Sequence, residues 1–471
     1  MADTIRDRMR REMAEKSLFR QAQDHAFRYA DTVDARRVFP GAEALAGLAA
    51  FDEPMPEAPG DARAVLDMLD SAGGPATCAQ MGGRYFGFVN GGSVPVGLAA
   101  RWLADFWDQN AALNVMSPVA AKLEAVAERW LVELFGLPPG TVAGFVSGTT
   151  SAIVTGLAAA RWRIAERAGW DINTRGFAGA PPIRVITGAH THSAVLRAVG
   201  LLGFGTGNIE FVDVDDQGRI VAQAMPRLDR SCLVILQAGN VNSGSFDPID
   251  IICDQANAAG AWVHVDGAFG LWAEASDRLR SLTRGIDKAQ SFSVDAHKTL
   301  NAPYDSGIVL CTDREALHGA LQATGSYLLF GAERDGMTVT PEMSRRARGI
   351  ELWAILKYLG REGVDELVTG LHERAVQMAD ELRSAGFDVL NDVVFNQVIV
   401  AGGNGDETEA LLARVQADGE CWVGGSNWFG RSVIRISVCS WATTAEDVSR
   451  TVAAFVAARS AVAEASARQS G

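Results

Sequence analysis

Positive charge is in short supply in this chain: 43 Lys and Arg face 57 Asp and Glu among 471 residues, a formal net charge of −14. A protein that grips a nucleic-acid backbone needs a cationic face, so the composition argues against that class. Cysteine is sparse as well. The six, at 78, 232, 253, 311, 421 and 439, form no Cys-x-x-Cys pair, which speaks against a zinc site or a disulfide scaffold and for reduced, mostly buried thiols. No stretch reaches the roughly 18 uninterrupted apolar residues of a membrane span. The opening Met1-Ala-Asp-Thr-Ile-Arg-Asp-Arg-Met-Arg-Arg11 is charged throughout and lacks the apolar centre of a signal peptide, so a cytoplasmic location is expected. Tyrosine occurs only five times, which makes the position of each one informative.

What is present is ordinary for a globular enzyme: 48% apolar and 21% charged residues, with length for about two to three structural units. Three regions are expected: an N-terminal helical segment over 1–80, a large α/β domain over 81–350 and a small α+β domain over 351–471. Residues 1 to about 35 read as a charged amphipathic helix, and 51–60, rich in proline and acid, as a surface connector. Helical spacing covers Leu98–Trp107 and Ala120–Phe135, and Leu137-Pro-Pro-Gly140 stops the second. Short β-rich runs then alternate with helical stretches: Val142–Val146, Ile183–Thr187, Ile209–Val214, Leu233–Leu236, Trp262–Val265, Ser291–Val294 and Gly307–Cys311. Such alternation implies a mainly parallel sheet with crossover helices, whose ligands sit beyond the carboxyl ends of the strands. After a long helix from about Ile350, strand candidates are Phe387–Leu390, Asn396–Val400 and Val433–Val438; a helix over Ala445–Ser460 closes the unit and 461–471 looks frayed.

The chemistry-bearing residues fall just past those strand ends. Lys298 ends Ser291-Phe-Ser-Val-Asp-Ala-His-Lys298, and Asp266 is the lone carboxylate of Trp262-Val-His-Val-Asp-Gly-Ala268. An amine and a carboxylate so placed fit a pyridoxal phosphate site, the amine forming a Schiff base with the aldehyde and the carboxylate keeping the ring nitrogen protonated. Taken singly, each reads first as a surface lysine or a helix-capping aspartate. Phe145-Val-Ser-Gly-Thr-Thr-Ser-Ala152 precedes a helical run; Gly148 permits close backbone approach, and Thr149 and Thr150 offer hydroxyls to a phosphate at a helix N-terminus. The alternative there is a simple N-cap. In Thr187-Gly-Ala-His-Thr-His-Ser-Ala-Val-Leu-Arg197, His190 and His192 both follow a strand, and either imidazole could stack on a pyridine ring. No metal site is expected.

These residues resemble the group II pyridoxal-phosphate-dependent amino acid decarboxylases, the family of aromatic-L-amino-acid and glutamate decarboxylases, from about Arg84 into the late C-terminal domain. Asp295-Ala-His-Lys-Thr-Leu-Asn-Ala-Pro-Tyr-Asp-Ser-Gly307 is similar to the family's Asp-Pro-His-Lys-Trp segment, and His264-Val-Asp-Gly-Ala268 to its His-Val-Asp-Ala-Ala turn. The resemblance implies that Asp266 pairs with the ring nitrogen and Ala268 packs under the ring. The register of His192-Ser-Ala-Val-Leu-Arg-Ala198 selects His192 over His190 as the stacking residue. Ser117-Pro-Val-Ala-Ala-Lys-Leu-Glu124 resembles a helix start that reaches the partner subunit's site. A fold-type-I homodimer with sites at the interface is implied, with His297 also at the cofactor. Tyr327, in Ala323-Thr-Gly-Ser-Tyr-Leu-Leu329, matches the family's mobile-loop tyrosine, which protonates the substrate α-carbon; phenylalanine there goes with aldehyde formation. Arg435, in Ser432-Val-Ile-Arg-Ile-Ser437, resembles the strand arginine near the substrate carboxylate.

The expected activity is decarboxylation of an L-amino acid to the amine and carbon dioxide, with Arg435, Phe88 and Asn90 facing the substrate. Alternatives are an aminotransferase or carbon–carbon lyase of the same fold, or a catalytically inactive dimeric scaffold. Six aromatic residues within 85–107 (Tyr85, Phe86, Phe88, Trp102, Phe106 and Trp107) lean toward an aromatic or apolar substrate. Departures from the family exist too. The turn Ala238-Gly-Asn-Val-Asn-Ser-Gly-Ser-Phe-Asp247 lacks the usual threonines, so Asn240 or Asn242 is the substitute contact to the cofactor; Ser151 stands where a glutamate is usual; and Asn110 to Met116 is less bulky than the animal aromatic decarboxylases' pocket wall.

Overall fold

The computed structural model describes residues 4–321 and 333–470. The alternating runs form one seven-stranded sheet. Its strands are β1 (Val142–Val146), β2 (Arg184–Gly188), β3 (Ile209–Val212), β4 (Cys232–Gln237), β5 (Trp262–Asp266), β6 (Ser291–Asp295) and β7 (Gly307–Cys311), in the order β1-β7-β6-β5-β4-β2-β3. β2 to β6 are parallel, while β7 runs antiparallel to both β1 and β6. The connection from β6 to β7 is the loop over 296–306, with no crossover helix, so the strand returns antiparallel. Every residue of β1, β4, β5, β6 and β7 is buried, as expected of strands covered on both faces.

The helix Thr149–Arg167 covers one face, burying Ala152, Ile153, Leu157, Ala159 and Ala160. Its small residues let it lie close: a Cβ on Gly156 would come within 2.8 Å of the His264 ring. On the other face Trp272, Phe135 and Ile355 belong to a second, larger apolar cluster with Val234, Leu236 and Phe292.

The later residues build a four-stranded antiparallel sheet, order β10-β11-β9-β8, from β8 (Asp388–Val389), β9 (Gln397–Ala401), β10 (Gly424–Trp428) and β11 (Arg431–Ser437). β10 reads Gly-Gly-Ser-Asn-Trp and carries no strand pattern of its own; pairing with β11 makes it a strand. The helix Gly349–Ser384 is interrupted at Gly360, where φ is 61° and ψ −172°. The closing helix Ala445–Ser470 continues past Ser460, through residues whose composition reads as frayed. The N-terminal helices Ile5–Glu15 and Ser17–Thr32 bury no residue fully. Among the described residues, no helix is long and apolar enough to cross a membrane.

β1, β2, β4, β5 and β6 end on one edge of the large sheet, so the loops that follow them meet there. That edge is where the chemistry lies.

Candidate active site

The lysine turn begins where β6 ends. Asp295 is buried, with Lys298 Nζ 3.1 Å and His297 Nε2 3.4 Å from its Oδ2. Burial alone would raise this carboxyl, but the charges of Lys298 and His297 outweigh it and bring the pKa down to about 2. His297 Nδ1 accepts the Ser306 N–H at 3.0 Å, which in a neutral ring leaves the proton on Nε2, facing Asp295. Asn301 braces the turn. Its Nδ2 donates to the carbonyls of Lys298 (3.1 Å), Thr299 (2.9 Å) and Cys439 (2.9 Å), and its Oδ1 accepts the N–H groups of Gly92 (2.8 Å) and Trp441 (2.9 Å). One buried side chain thus joins three segments far apart in sequence.

Asp266 closes β5. Its Oδ1 accepts from Ser293 Oγ and from the Ala268 N–H, each at 3.2 Å. Burial pushes its carboxyl up, opposed by the charges of His192 and Lys298. His192 caps the helix Ser193–Leu201, its Nδ1 accepting the Ala194 N–H at 3.2 Å. Burial lowers its basicity; Asp266 and Asp295 act against this, while Lys298 and Arg435 reinforce it. His192, Asp266, Lys298 and Arg435 therefore share one electrostatic environment. His190, the rival imidazole, packs instead against Trp428 and Phe429, with ring centroids 5.2 and 4.4 Å away.

After β1, Gly148 precedes the 149–167 helix with no side-chain cap, leaving first-turn N–H groups available to an anion. The Thr149 hydroxyl is buried there and faces the Asp295 carboxyl, whose pKa it helps to lower, while Thr150 is exposed. Backbones are pressed together at this point: a Cβ on Gly307 would lie 2.4 Å from Gly148 Cα, and one on Gly148 would lie 3.3 Å from His297 Cε1. Ser151 pairs with Ser147 at 3.2 Å.

The remaining candidates are dispersed around this centre. Asn240 spends its Oδ1 on the N–H groups of Asn242 (2.9 Å) and Ser243 (3.3 Å), holding its own turn, and Asn242 accepts from Ser426 at 2.7 Å. Arg435, on β11, donates through Nη1 to Val241 O at 3.2 Å; its Nε is buried without a partner, and burial lowers its pKa. Phe88 is exposed and stacks on Trp422 with centroids 5.3 Å apart. Asn90 Oδ1 accepts the Tyr304 hydroxyl at 2.9 Å. Tyr327 lies outside the described residues. Sequence reasoning missed Asn301, Tyr304 and Trp422. For the first two a signal existed, since both stand inside the lysine motif itself.

A model of the pyridoxal-dependent decarboxylase conserved domain matches residues 62–400. The chain belongs to that family. Its similarity extends to an acidic amino acid decarboxylase of Mus musculus, 26% identical over 330 residues, 67% of this chain and 59% of that protein. It is also similar to the L-2,4-diaminobutyrate decarboxylase of Rhizobium meliloti (strain 1021), 29% identical over 320 residues, 63% of this chain and 60% of that one. Tryptophan decarboxylase 1 of Oryza sativa subsp. japonica is 29% identical over 363 residues, 69% of this chain and 70% of that one. The chain spans about three fifths of the length of the first two of these curated relatives. In fold it matches the Oryza sativa TDC solved with PLP and tryptamine, with a TM-score of 0.87 and 22% identity over 95% of this chain and 98% of that one. Mouse CSAD gives a TM-score of 0.86 at 20% identity, with the same coverage.

The cofactor of this family is pyridoxal phosphate, and the residues present fit it. The open N-terminus of the 149–167 helix, with no side-chain cap, suits a phosphate. A buried carboxylate whose pKa is raised by burial suits a cationic ring nitrogen beside it. The Lys298 charge acts on both Asp266 and Asp295, which places its amine between the two carboxylates' fields.

Proposed function

We propose that this chain decarboxylates an L-amino acid to the corresponding amine and carbon dioxide. The observation that carries the reading is the convergence of Lys298, Asp266 and His192, with Asp295 beneath them, on one sheet edge of a chain that belongs to this family. When bound, pyridoxal phosphate supplies an aldehyde that condenses with amines and an electron-withdrawing ring. Gly148, Thr149 and Thr150 receive its phosphate. Ala268 and His192 flank its ring, and His297 and Asn240 line the loops around it. Asp266 holds a proton at the ring nitrogen, an electrostatic device that works because the carboxylate is dry. Lys298 supplies the amine, with Asp295 as its counter-ion.

Arg435 orients the substrate carboxylate, and Phe88 and Asn90 form the wall near the side chain; the task is one of positioning the bond to be broken. Tyr327 delivers a proton to the substrate α-carbon. A homodimer is part of the reading. Phe19, Phe27, Trp102, Leu103, Phe106 and Trp107 present exposed apolar surface, on the helix Ser17–Thr32 and the helix Pro95–Trp107, that a second copy would cover. Six free cysteines support a reducing, cytoplasmic setting.

The test is carbon dioxide release from a panel of L-amino acids, with the amines identified by mass spectrometry. Lys298→Ala should lose both turnover and the yellow colour that borohydride discharges. Keto-acid formation without carbon dioxide would replace this reading with an aminotransferase. A colourless wild-type protein would point to an inactive scaffold.

A further inference from the structure

We propose that Tyr304 is a positioning residue that couples the lysine turn to the 87–91 segment and thereby sets the substrate-facing wall of Phe88 and Asn90. The inference rests on the function proposed above and adds to it a residue that fixes the wall. Tyr304 makes two kinds of contact at once. Its ring stacks on His297, centroids 4.3 Å apart at 28°, and its hydroxyl donates to Asn90 Oδ1 at 2.9 Å. Asn90 in turn donates to Gln80 at 3.3 Å. One phenol therefore touches both the neighbour of Lys298 and the wall opposite.

That wall needs holding. Phe88 and Val89 both have left-handed backbones, with φ of 53° and 60°. Such a conformation is costly for a non-glycine residue and most costly for a β-branched one. It persists only where the surroundings over-determine it. At one end the segment is clamped by Trp422, whose ring stacks between Tyr85 (5.2 Å) and Phe88 (5.3 Å) and leaves no room for a Cβ on Gly87, which would lie 2.2 Å from Cζ3. At the other end Gly91 is pressed against the Lys298 carbonyl, 2.3 Å from where its Cβ would be, and Gly92 donates to Asn301 at 2.8 Å. Between these backbone clamps, the Tyr304–Asn90 bond is the side-chain tie to the lysine turn, and the Asn90–Gln80 bond ties the residue from the other side. Losing the first leaves Asn90 held by Gln80 alone, which lets the strained pair relax while Trp422 and the stack on His297 remain.

The experiment uses the holoenzyme and three probes, L-tryptophan, L-glutamate and L-2,4-diaminobutyrate, with binding read from the change in absorbance of the bound cofactor and turnover from carbon dioxide release. Tyr304→Phe keeps the stack and deletes the tie. It should weaken binding of the preferred probe about tenfold, the effect of losing one hydrogen bond, with kcat within about threefold and an unchanged thermal midpoint. Asn90→Ala, which also removes the bond to Gln80 and part of the wall, should weaken binding at least as much, and adding Tyr304→Phe to it should do no further harm, because the tie is already gone. Tyr304→Leu should in addition weaken pyridoxal phosphate itself, measured by equilibrium dialysis, since His297 loses the ring against which it packs. Additive single effects, a lower thermal midpoint with unchanged probe binding, or unaltered cofactor affinity in Tyr304→Leu would each overturn the proposal. Probe binding without carbon dioxide release in the wild type would sink decarboxylation but leave this coupling measurable, and the dialysis arm needs no amino acid at all.

Discussion

Asp295→Asn preserves the shape of a buried side chain and removes its charge. In the native protein Asp295 is 2% exposed, with Lys298 at 3.1 Å and His297 at 3.4 Å. Its pKa is about 2 where an ordinary aspartate has 3.8. Over that interval the favoured ionised form contributes about 2 kcal/mol to folding. A depressed carboxyl pKa gives stability that is present above the unfolded value, 3.8, and is lost as pH falls through the folded value, about 2. The wild-type protein should therefore lose about 2 kcal/mol between pH 4 and pH 2 from this group alone. The variant should lack that part of the slope and be about 2 kcal/mol less stable at pH 7. Stranding an ammonium in a sealed core costs more, about 3–5 kcal/mol. The Lys298 side chain is 19% exposed, so water recovers some of the loss. The assay is urea unfolding at a series of pH values with the cofactor stripped, because a ligand that binds only the folded state adds its own stabilisation. A variant as stable as wild type at pH 7, or one with an unchanged acid limb, would refute the reasoning.

Three further predictions concern neighbouring residues. Gly307→Ala places a methyl 2.4–2.7 Å from the backbone of Gly148; the shift it forces should cost about 1–3 kcal/mol of stability and weaken pyridoxal phosphate binding in equilibrium dialysis. Arg435→Gln keeps hydrogen-bonding capacity but loses the cation, so KM for the amino acid should rise about tenfold or more with a smaller fall in kcat, in steady-state assays of carbon dioxide release. Tyr327→Phe should divert product from amine toward aldehyde, and an unchanged amine yield by mass spectrometry would remove Tyr327 from that role.

The large sheet was legible because its strands are continuous apolar runs such as Cys232–Gln237, separated by helical stretches, and because reactive residues come directly after them. Lys298, Asp266 and His192 each lie at a strand end or a few residues past one, so local pattern was enough to find them. Long-range pairing was not legible. The direction of β7 depends on a return from β6 with no crossover helix, and β10 exists only because β11 lies beside it. Asn301 shows the same limit. It sits in the lysine motif, but its importance comes from partners at Gly92, Cys439 and Trp441, which no local pattern brings together. Asn240 is the converse case. As a candidate it was drawn from a missing threonine, while its carbonyl oxygen is occupied by the amides of its own turn.

The side-chain specificity of the site shows why composition differs from orientation. Six aromatic residues between 85 and 107 lean, by count, toward an aromatic substrate. In the fold, Tyr85 and Phe86 are buried; Phe106 packs on Phe19 at 4.8 Å and Trp102 on Phe27 at 6.0 Å, out on the N-terminal helices. Trp107 ends the helix Pro95–Trp107. Phe88 is exposed on the segment that Tyr304 and Trp422 hold, where two residues adopt a backbone that valine and phenylalanine ordinarily avoid. On the proposed function, the wall sets one apolar ring beside an amide and a phenol, Asn90 and Tyr304. On that reading, counting rings overstates the apolar character of the wall, because the exposed Phe88 ring is held beside polar groups by Trp422 and Tyr304.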